Sequence, residues 1–343
     1  MSRIYTCCVC KFAQPADEAE TADVRSNVRA LRQEQFALWR CGQCRSIHAR
    51  DEVDLDAYYA AYPFFGRELD AITRMGYRRL TRRLRRAGLD PKPLPRRGQW
   101  PSGHRGQGQP PPSAREPIRQ AQGGLATSPK EGGVEDADTP TERQQTILDY
   151  GCGSGLLVEY LRECGYSAVG YDPYSQTHSN PTALQRTYDV IIAQDVIEHD
   201  ADPLGVLATL DALAAPGGLV AIGTPNADGI DLARPEEFVH PLHQPYHRHI
   251  LALPALQAAG RDLGWSVERT YLTPYTNMPV ISLPFIHHLM RHFDGCIDVL
   301  FERPKASLGF WLNPVTWFYM TVGYFLCDNA DIVALFRKPT ETA

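Results

Sequence analysis

The chain lacks an apolar run at its start of the kind a secretory signal needs, and no internal repeat is visible in it. It also lacks a strong excess of charge of either sign: 35 Lys and Arg stand against 40 Asp and Glu, for a net charge of −5. Near-balance argues against a dedicated nucleic-acid binder, whose affinity comes mainly from clustered basic residues. The most apolar stretch, 311–327, contains Asn313 and Pro314 and is shorter than a bilayer-spanning helix. Together these absences point to a globular protein of the cytoplasm. In a reducing compartment the nine cysteines are not expected to form a disulfide framework. Metal binding is the better explanation for the four that stand in two Cys-x-x-Cys pairs.

What is present divides into segments. Residues 1–54 carry the cysteine pairs. Residues 55–91 place Tyr58, Tyr59, Tyr62, Leu69, Ile72, Met75, Leu80 and Leu84 at helical spacing and read as connecting helices, with Arg78, Arg79, Arg82, Arg83, Arg85 and Arg86 on a solvated face. Residues 92–145 are rich in Pro, Gly, Gln and Ser and poor in large aliphatics, the composition of a disordered linker. From 146 to 343, short apolar runs alternate with helical stretches. That rhythm predicts an α/β fold, a doubly wound, mostly parallel sheet with helices on both faces. Residues 273–329 interrupt the rhythm and are read as a lid insertion.

The chemistry-bearing segment opens that last region. Ile147 to Tyr150 is a buried strand that turns through Gly151, Gly153 and Gly155 into a helix beginning near Leu156. Glycine tolerates positive φ and has no Cβ, so backbone can approach a ligand there. About twenty residues on, the next strand ends at Asp172, where a carboxylate can accept hydrogen bonds from ribose hydroxyls. A nicotinamide dinucleotide would also suit this spacing. Against it, the glycines run G-x-G-x-G, no second phosphate-binding signature appears, and Asp149 sits at the strand end where a cationic amine fits better than a pyrophosphate.

At these residues the chain resembles the class I S-adenosylmethionine (SAM)-dependent methyltransferases. The likeness continues through Tyr188-Asp-Val-Ile-Ile-Ala, Asp195-Val-Ile-Glu-His, and Ala215-Pro-Gly-Gly-Leu-Val-Ala-Ile-Gly-Thr-Pro-Asn. It looks most like the small-molecule branch related to ubiquinone-biosynthesis O-methyltransferases. The resemblance implies that the glycine turn and Asp149 hold the methionine part of SAM, Asp172 the ribose, and the segment around Gln194 and Asp195 the adenine. It also implies that Asp331 to Lys338 is the antiparallel strand that marks the fold.

Cys7, Cys10, Cys41 and Cys44 offer the four thiolates of a tetrahedral structural zinc site. Roughly thirty residues separate the pairs, against the more usual fifteen to twenty, and an acidic loop with Asp17, Glu18 and Glu20 is expected between them. Cys8 could compete for the metal, and His48 is a substitute ligand. The module resembles the zinc ribbon, followed by Tyr-Tyr, that begins many small-molecule and sugar methyltransferases. It departs from that pattern in having Lys11 where glycine follows the first pair, and the extra C-terminal domain of the sugar C-methyltransferases is missing.

Two histidine groups are candidates for catalysis. If a helix starts at Asp195, then Asp195, Glu198 and His199 share one face and form a divalent-metal or base site. The ubiquinone O-methyltransferases carry Glu-x-x-Glu-His here, associated with metal, and this chain replaces its first Glu by Asp. The bland reading is a helix N-terminus complemented by acidic residues. The second group runs from His240 through His243 and His247 to His249, with His243 and His247 the foremost base candidates.

The expected activity is methyl transfer to a small-molecule acceptor, on oxygen before carbon. An RNA-modifying methyltransferase and a non-catalytic SAM-binding or zinc-dependent interaction protein are the alternatives. Against an amino-methylating nucleic-acid enzyme, Gln194-Asp-Val-Ile-Glu-His stands where Asn-Pro-Pro-Tyr or a relative would. The aromatic residues within 311–327 leave room for peripheral membrane contact without a transmembrane span. Nothing in the sequence specifies an oligomeric state.

Overall fold

The computed structural model describes residues 3–59, 68–90 and 144–340. The expected linker lies outside the described residues apart from its last two positions, and so does Tyr62. Residues 1–94 and 145–343 make one compact unit.

The N-terminal part contains β1 (Ile4–Thr6), β2 (Ala13–Pro15), β3 (Glu20–Arg25), β4 (Gln35–Arg40) and β5 (Ile47–Ala49), then α1 (Leu55–Tyr59) and α2 (Ala71–Arg85). The α/β part runs through β6 (Thr146–Tyr150), α3 (Leu156–Glu163), β7 (Ser167–Tyr171), β8 (Tyr188–Gln194), α4 (Pro203–Leu213), β9 (Ala214–Pro225), α5 (Val239–Leu242), β10 (His249–Ile250), α6 (Leu253–Asp262) and β11 (Ser266–Tyr271). Then come α7 (Leu283–Phe293), α8 (Asp298–Glu302), α9 (Leu308–Leu312), α10 (Pro314–Thr321) and finally β12 (Asp331–Arg337).

The main sheet has the order β11-β12-β9-β8-β6-β7. Strands β6 to β9 pair in parallel, and β12 runs antiparallel to both β9 and β11. This is the expected mostly parallel α/β fold, with its one reversed strand at the expected place. Strands β6 and β8 read as apolar runs because both sheet faces are covered: Leu148, Ile191, Val220, Ile222, Ala334 and Phe336 are all fully buried. Only a 3₁₀ turn, Pro181–Leu184, lies between β7 and β8. The connection passes β6 to reach β8, and β7 stands at the sheet edge with β6 as its neighbour.

The small module does not stand apart. Its second sheet has the order β10-β5-β4-β3, and β10 comes from the α/β part, with His249 opposite His48. Between the two cysteine pairs, the expected acidic loop is instead mostly the hairpin β3–β4. Glu20 pairs with Arg40, whose guanidinium is buried and also donates to the carbonyls of Ala227 and Ile230. The unusual spacing of the cysteines therefore accommodates a sheet.

The arginines of α2 also differ from expectation. Arg82 and Arg86 face solvent, but Arg83 is buried and donates to the Thr273 carbonyl, and Arg79 donates to the Asn277 carbonyl and Tyr324 Oη. Arg85 reaches Tyr166 Oη, and Arg74 forms an ion pair with Glu163. Helix α2 thus ties residues 273–329 to the α/β part, and the exposed positions include the apolar Ile72 and Met75 instead.

Candidate functional site

The glycine turn is fastened at its base. The N–H groups of Gly151 and Cys152 both donate to the Tyr171 carbonyl, at 2.7 and 3.2 Å, which hooks the end of β6 to the end of β7. Gly151, Gly153 and Gly155 have φ of +76°, +54° and +81°. A Cβ at Gly151 would collide with Val196, and one at Gly155 with His178, so packing forbids side chains there. Gly153 is different: a Cβ would meet no protein atom within 4 Å. Its methylene faces open space at the C-terminal ends of the strands, where ligands of such sheets bind.

Asp172 organises this space. Its Oδ2 accepts from the Gly153 N–H at 2.9 Å and its Oδ1 from the Tyr174 N–H at 2.8 Å. Asp149 lies below, 4% exposed, with its carboxyl pushed up to about 7 first by burial and then by the charge of Asp172. Gln194 ends β8 and crowds Gly223. Asp195 follows at φ +54° with its N–H donating to the Gly223 carbonyl at 2.9 Å.

That left-handed residue also breaks the expected helix. Residues 195–200 form bends and a turn, and α4 begins at Pro203 behind Asp202, whose side chain caps the Gly205 N–H. Glu198 and His199 therefore do not share a helical face with Asp195. The donor set brought within 4.8 Å is Glu198, His199 and His247. His247 replaces Asp195 because the loop before β10 folds back: the N–H groups of Arg248 and His249 donate to the Glu198 carbonyl at 2.7 and 3.1 Å.

All three candidate bases meet in one cluster, in which His243 and His247 are buried and His199 is partly exposed. The rings of His199 and His247 are 4.7 Å apart and perpendicular, and those of His243 and His247 are 5.0 Å apart. His243 Nδ1 donates to Asn27 Oδ1 at 2.6 Å. His247 Nδ1 donates to the Pro241 carbonyl at 2.7 Å, so the Nε2 of the neutral ring is an acceptor, 4.0 Å from Glu198 Oε1. Burial lowers His247 to about 4 and holds His199 and His243 well below the ordinary imidazole value, so all three rings are neutral. Burial, reinforced by Asp195, raises Glu198. Its Oε2 accepts from Thr224 Oγ1 at 3.0 Å, while its Oε1 is buried and finds no hydrogen-bond partner among the described residues.

Two contributors were not anticipated as site residues. Tyr59, at the end of α1, places its hydroxyl 2.8 Å from His199 Nδ1 and stacks on Tyr174 at 5.3 Å, just beyond Asp172. It therefore joins the glycine-turn side to the histidine cluster. The Tyr58-Tyr59 pair was visible as a motif but gave no sign of its destination. Asn27, from the small module, bridges His240 and His243, and no local signal marks it. Ile297 and Phe301, in and beside α8, pack with Tyr58 and Tyr59 against Tyr246, which brings the 273–329 segment beside the cluster. A separate cavity of about 420 Å³ lies along the β7 edge, lined by Arg162, Thr177, His178 and Tyr188 among others, and includes none of these histidines.

In the small module the four sulfurs lie within 4.8 Å of one another, with Cys7–Cys44 and Cys10–Cys41 both at 3.6 Å. Tetrahedral zinc with bonds of about 2.3 Å separates its sulfurs by roughly 3.8 Å, so the four thiols fit the ion. The two knuckles are alike in backbone as well. Lys11 and Arg45, each following the second cysteine of its pair, have φ of +61° and +66°, and each donates its N–H to the carbonyl of the first cysteine at 3.0 Å. Lys11 therefore holds the conformation that glycine would adopt, with its Nζ on the Cys8 carbonyl at 2.7 Å.

Residues 118–294 match the protein family described as "Methyltransferase domain". The ubiquinone biosynthesis O-methyltransferase of Ruegeria pomeroyi is 34% identical over 118 residues, covering 27% of this chain and 48% of that protein. That of Cereibacter sphaeroides is 34% identical over 101 residues, covering 23% and 41%. The chain thus spans about half the length, or less, of these curated relatives. Among solved structures, a putative sarcosine dimethylglycine methyltransferase from Galdieria sulphuraria aligns with a TM-score of 0.37 at 20% identity, over 58% of this chain and 80% of that one.

Proposed function

The chain belongs to the SAM-dependent methyltransferase family, whose domain matches more than half of its length, and we propose that it transfers a methyl group from SAM to the oxygen of a small-molecule acceptor. The observation that carries this reading is the open face of Gly153, bounded by Asp172 and underlain by the buried Asp149. A carboxyl held that high by burial is best complemented by a cation, and the ammonium of the methionine part supplies one. Asp172 would hold the ribose, with Gln194 and Asp195 on the adenine side. When bound, SAM supplies an electrophilic methyl on a good leaving group.

The acceptor's place in this reading is between the glycine turn and the Tyr59–His199 pair. The Tyr59 hydroxyl lies 2.8 Å from His199 Nδ1 and, in this reading, donates to it. A hydroxyl acceptor can donate to Tyr59 Oη and lose its proton through it to the neutral His199. Removing that proton is useful for oxygen and unnecessary for many carbon acceptors, which supports oxygen first. His247, His243 and Asn27 hold His199 from behind. The orphaned Glu198 Oε1 facing His247 Nε2 supports a second reading, in which a divalent cation sits among Glu198, His199 and His247. Residues 273–329 would cover the acceptor as a lid, and Cys7, Cys10, Cys41 and Cys44 would hold a structural zinc.

Calorimetric titration with S-adenosylhomocysteine, with NAD as a control, tests the cofactor assignment. Saturable binding weakened more than tenfold in D172A, with H199A and Y59F binding normally but transferring methyl slowly, is the expected pattern. Unchanged affinity in D172A would remove the ribose assignment, and absence of binding would remove the activity.

A further inference from the structure

A third group of ligating side chains lies at the seam between the small module and the α/β part. Cys8, His48 and His249 each offer an atom within 4.8 Å of the others. His48 Nδ1 is 3.0 Å from His249 Nδ1 and 3.8 Å from Cys8 Sγ. Tetrahedral zinc, with bonds of about 2.0–2.1 Å to nitrogen and 2.3 Å to sulfur, sets neighbouring ligand atoms roughly 3.3–3.6 Å apart. His48 is buried, and Cys8 and His249 are partly exposed.

A cation fits the arrangement of these nitrogens. His48 Nε2 lies 3.2 Å from Cys7 Sγ. With Cys7 a zinc thiolate, that contact is favourable only if Nε2 carries the proton and donates it. A neutral His48 then presents a lone pair at Nδ1, toward His249. With the His249 proton on its other nitrogen, the two Nδ1 lone pairs face each other at 3.0 Å beside Cys8 Sγ. A metal ion accepts both lone pairs, and Cys8 completes a set of one thiolate and two imidazoles.

We infer that Cys8, His48 and His249 form a second metal site, for zinc or a similar borderline-soft divalent ion, that fastens the small module to the loop carrying His247. Three protein ligands and partial exposure leave a fourth position for water. The ligands span β5, β10 and the first knuckle, so the ion staples the sheet pair in which His48 opposes His249. Since the Arg248 and His249 N–H groups hold the Glu198 carbonyl, the ion also fixes the backbone behind the proposed acceptor site.

The experiment is metal counting by native mass spectrometry on the full chain purified with zinc, for the wild type, C8S and H249A. The criterion is a difference of one equivalent, because Glu198, His199 and His247 offer a further donor set. Each variant should lose one zinc per chain and keep the one held by Cys7, Cys10, Cys41 and Cys44. Equal metal content in the wild type and both variants overturns the site. Should a variant fail to fold, cobalt substitution of the wild type decides: thiolate-to-cobalt charge transfer should correspond to five Co–S bonds, and an intensity for four overturns the proposal.

Discussion

The buried carboxyl of Asp149 gives the sharpest handle on the cofactor site. Its folded value of about 7, against an ordinary 3.8, comes mainly from burial and then from Asp172. Folding without ligand therefore favours the protonated acid, so Asp149 makes the chain less stable as the pH rises from about 4 toward 7. An ammonium ligand reverses the preference, because it pairs with the carboxylate. If the complex holds Asp149 ionised throughout, S-adenosylhomocysteine affinity must fall as the acid protonates. Between about pH 8 and pH 5, two decades below the folded value, the loss approaches about a hundredfold, or roughly 2.7 kcal/mol. Calorimetry across that range in the wild type and D149N measures it. Asp331, raised to about 8, and Glu198, also raised, titrate nearby, so the informative quantity is the difference between the two proteins. D149N should bind weakly and with a much flatter profile. A wild-type affinity constant within about threefold over the range, or a D149N profile parallel to it, would refute the pairing of Asp149 with the ligand's amine.

Three further outcomes are expected. G153A should fold with a modest loss of about 1–2 kcal/mol from a left-handed backbone, yet bind S-adenosylhomocysteine more than tenfold more weakly, because its methyl enters space empty of protein atoms; calorimetry beside thermal melting separates the two effects. R83M should lose about 2–3 kcal/mol in urea denaturation and expose residues 273–329 to limited proteolysis, since the buried guanidinium holds the Thr273 carbonyl and hydroxyl. C41S should release zinc and lower Tm by roughly 5 °C or more, with early proteolysis among residues 3–49 as the accompanying sign.

Much of the proposed cofactor side was legible in the sequence because it is built locally. A buried strand, a glycine turn and a helix follow one another over 147–163, and φ above zero at Gly151, Gly153 and Gly155 is a requirement of the chain itself. The same holds for Asp172 at a strand end, for the reversed strand at Asp331–Arg337, and for the two cysteine pairs, whose spacing alone sets two thiols beside each other. What the tertiary structure decided depends on partners far away in the chain. The left-handed Asp195 and the capped start of α4 removed the helix expected over 195–199, and a returning loop supplied His247 in place of Asp195. Arg83 looked like a solvated charge until the 273–329 segment presented its carbonyls. Tyr59, Asn27 and His249 carry no local mark of their places, because contacts spanning 140, 216 and 201 residues put them there. Periodicity and turn chemistry act over a few residues and can be read in order, whereas a site gathered from a small module, a connecting helix and a late loop exists only once the sheets have paired.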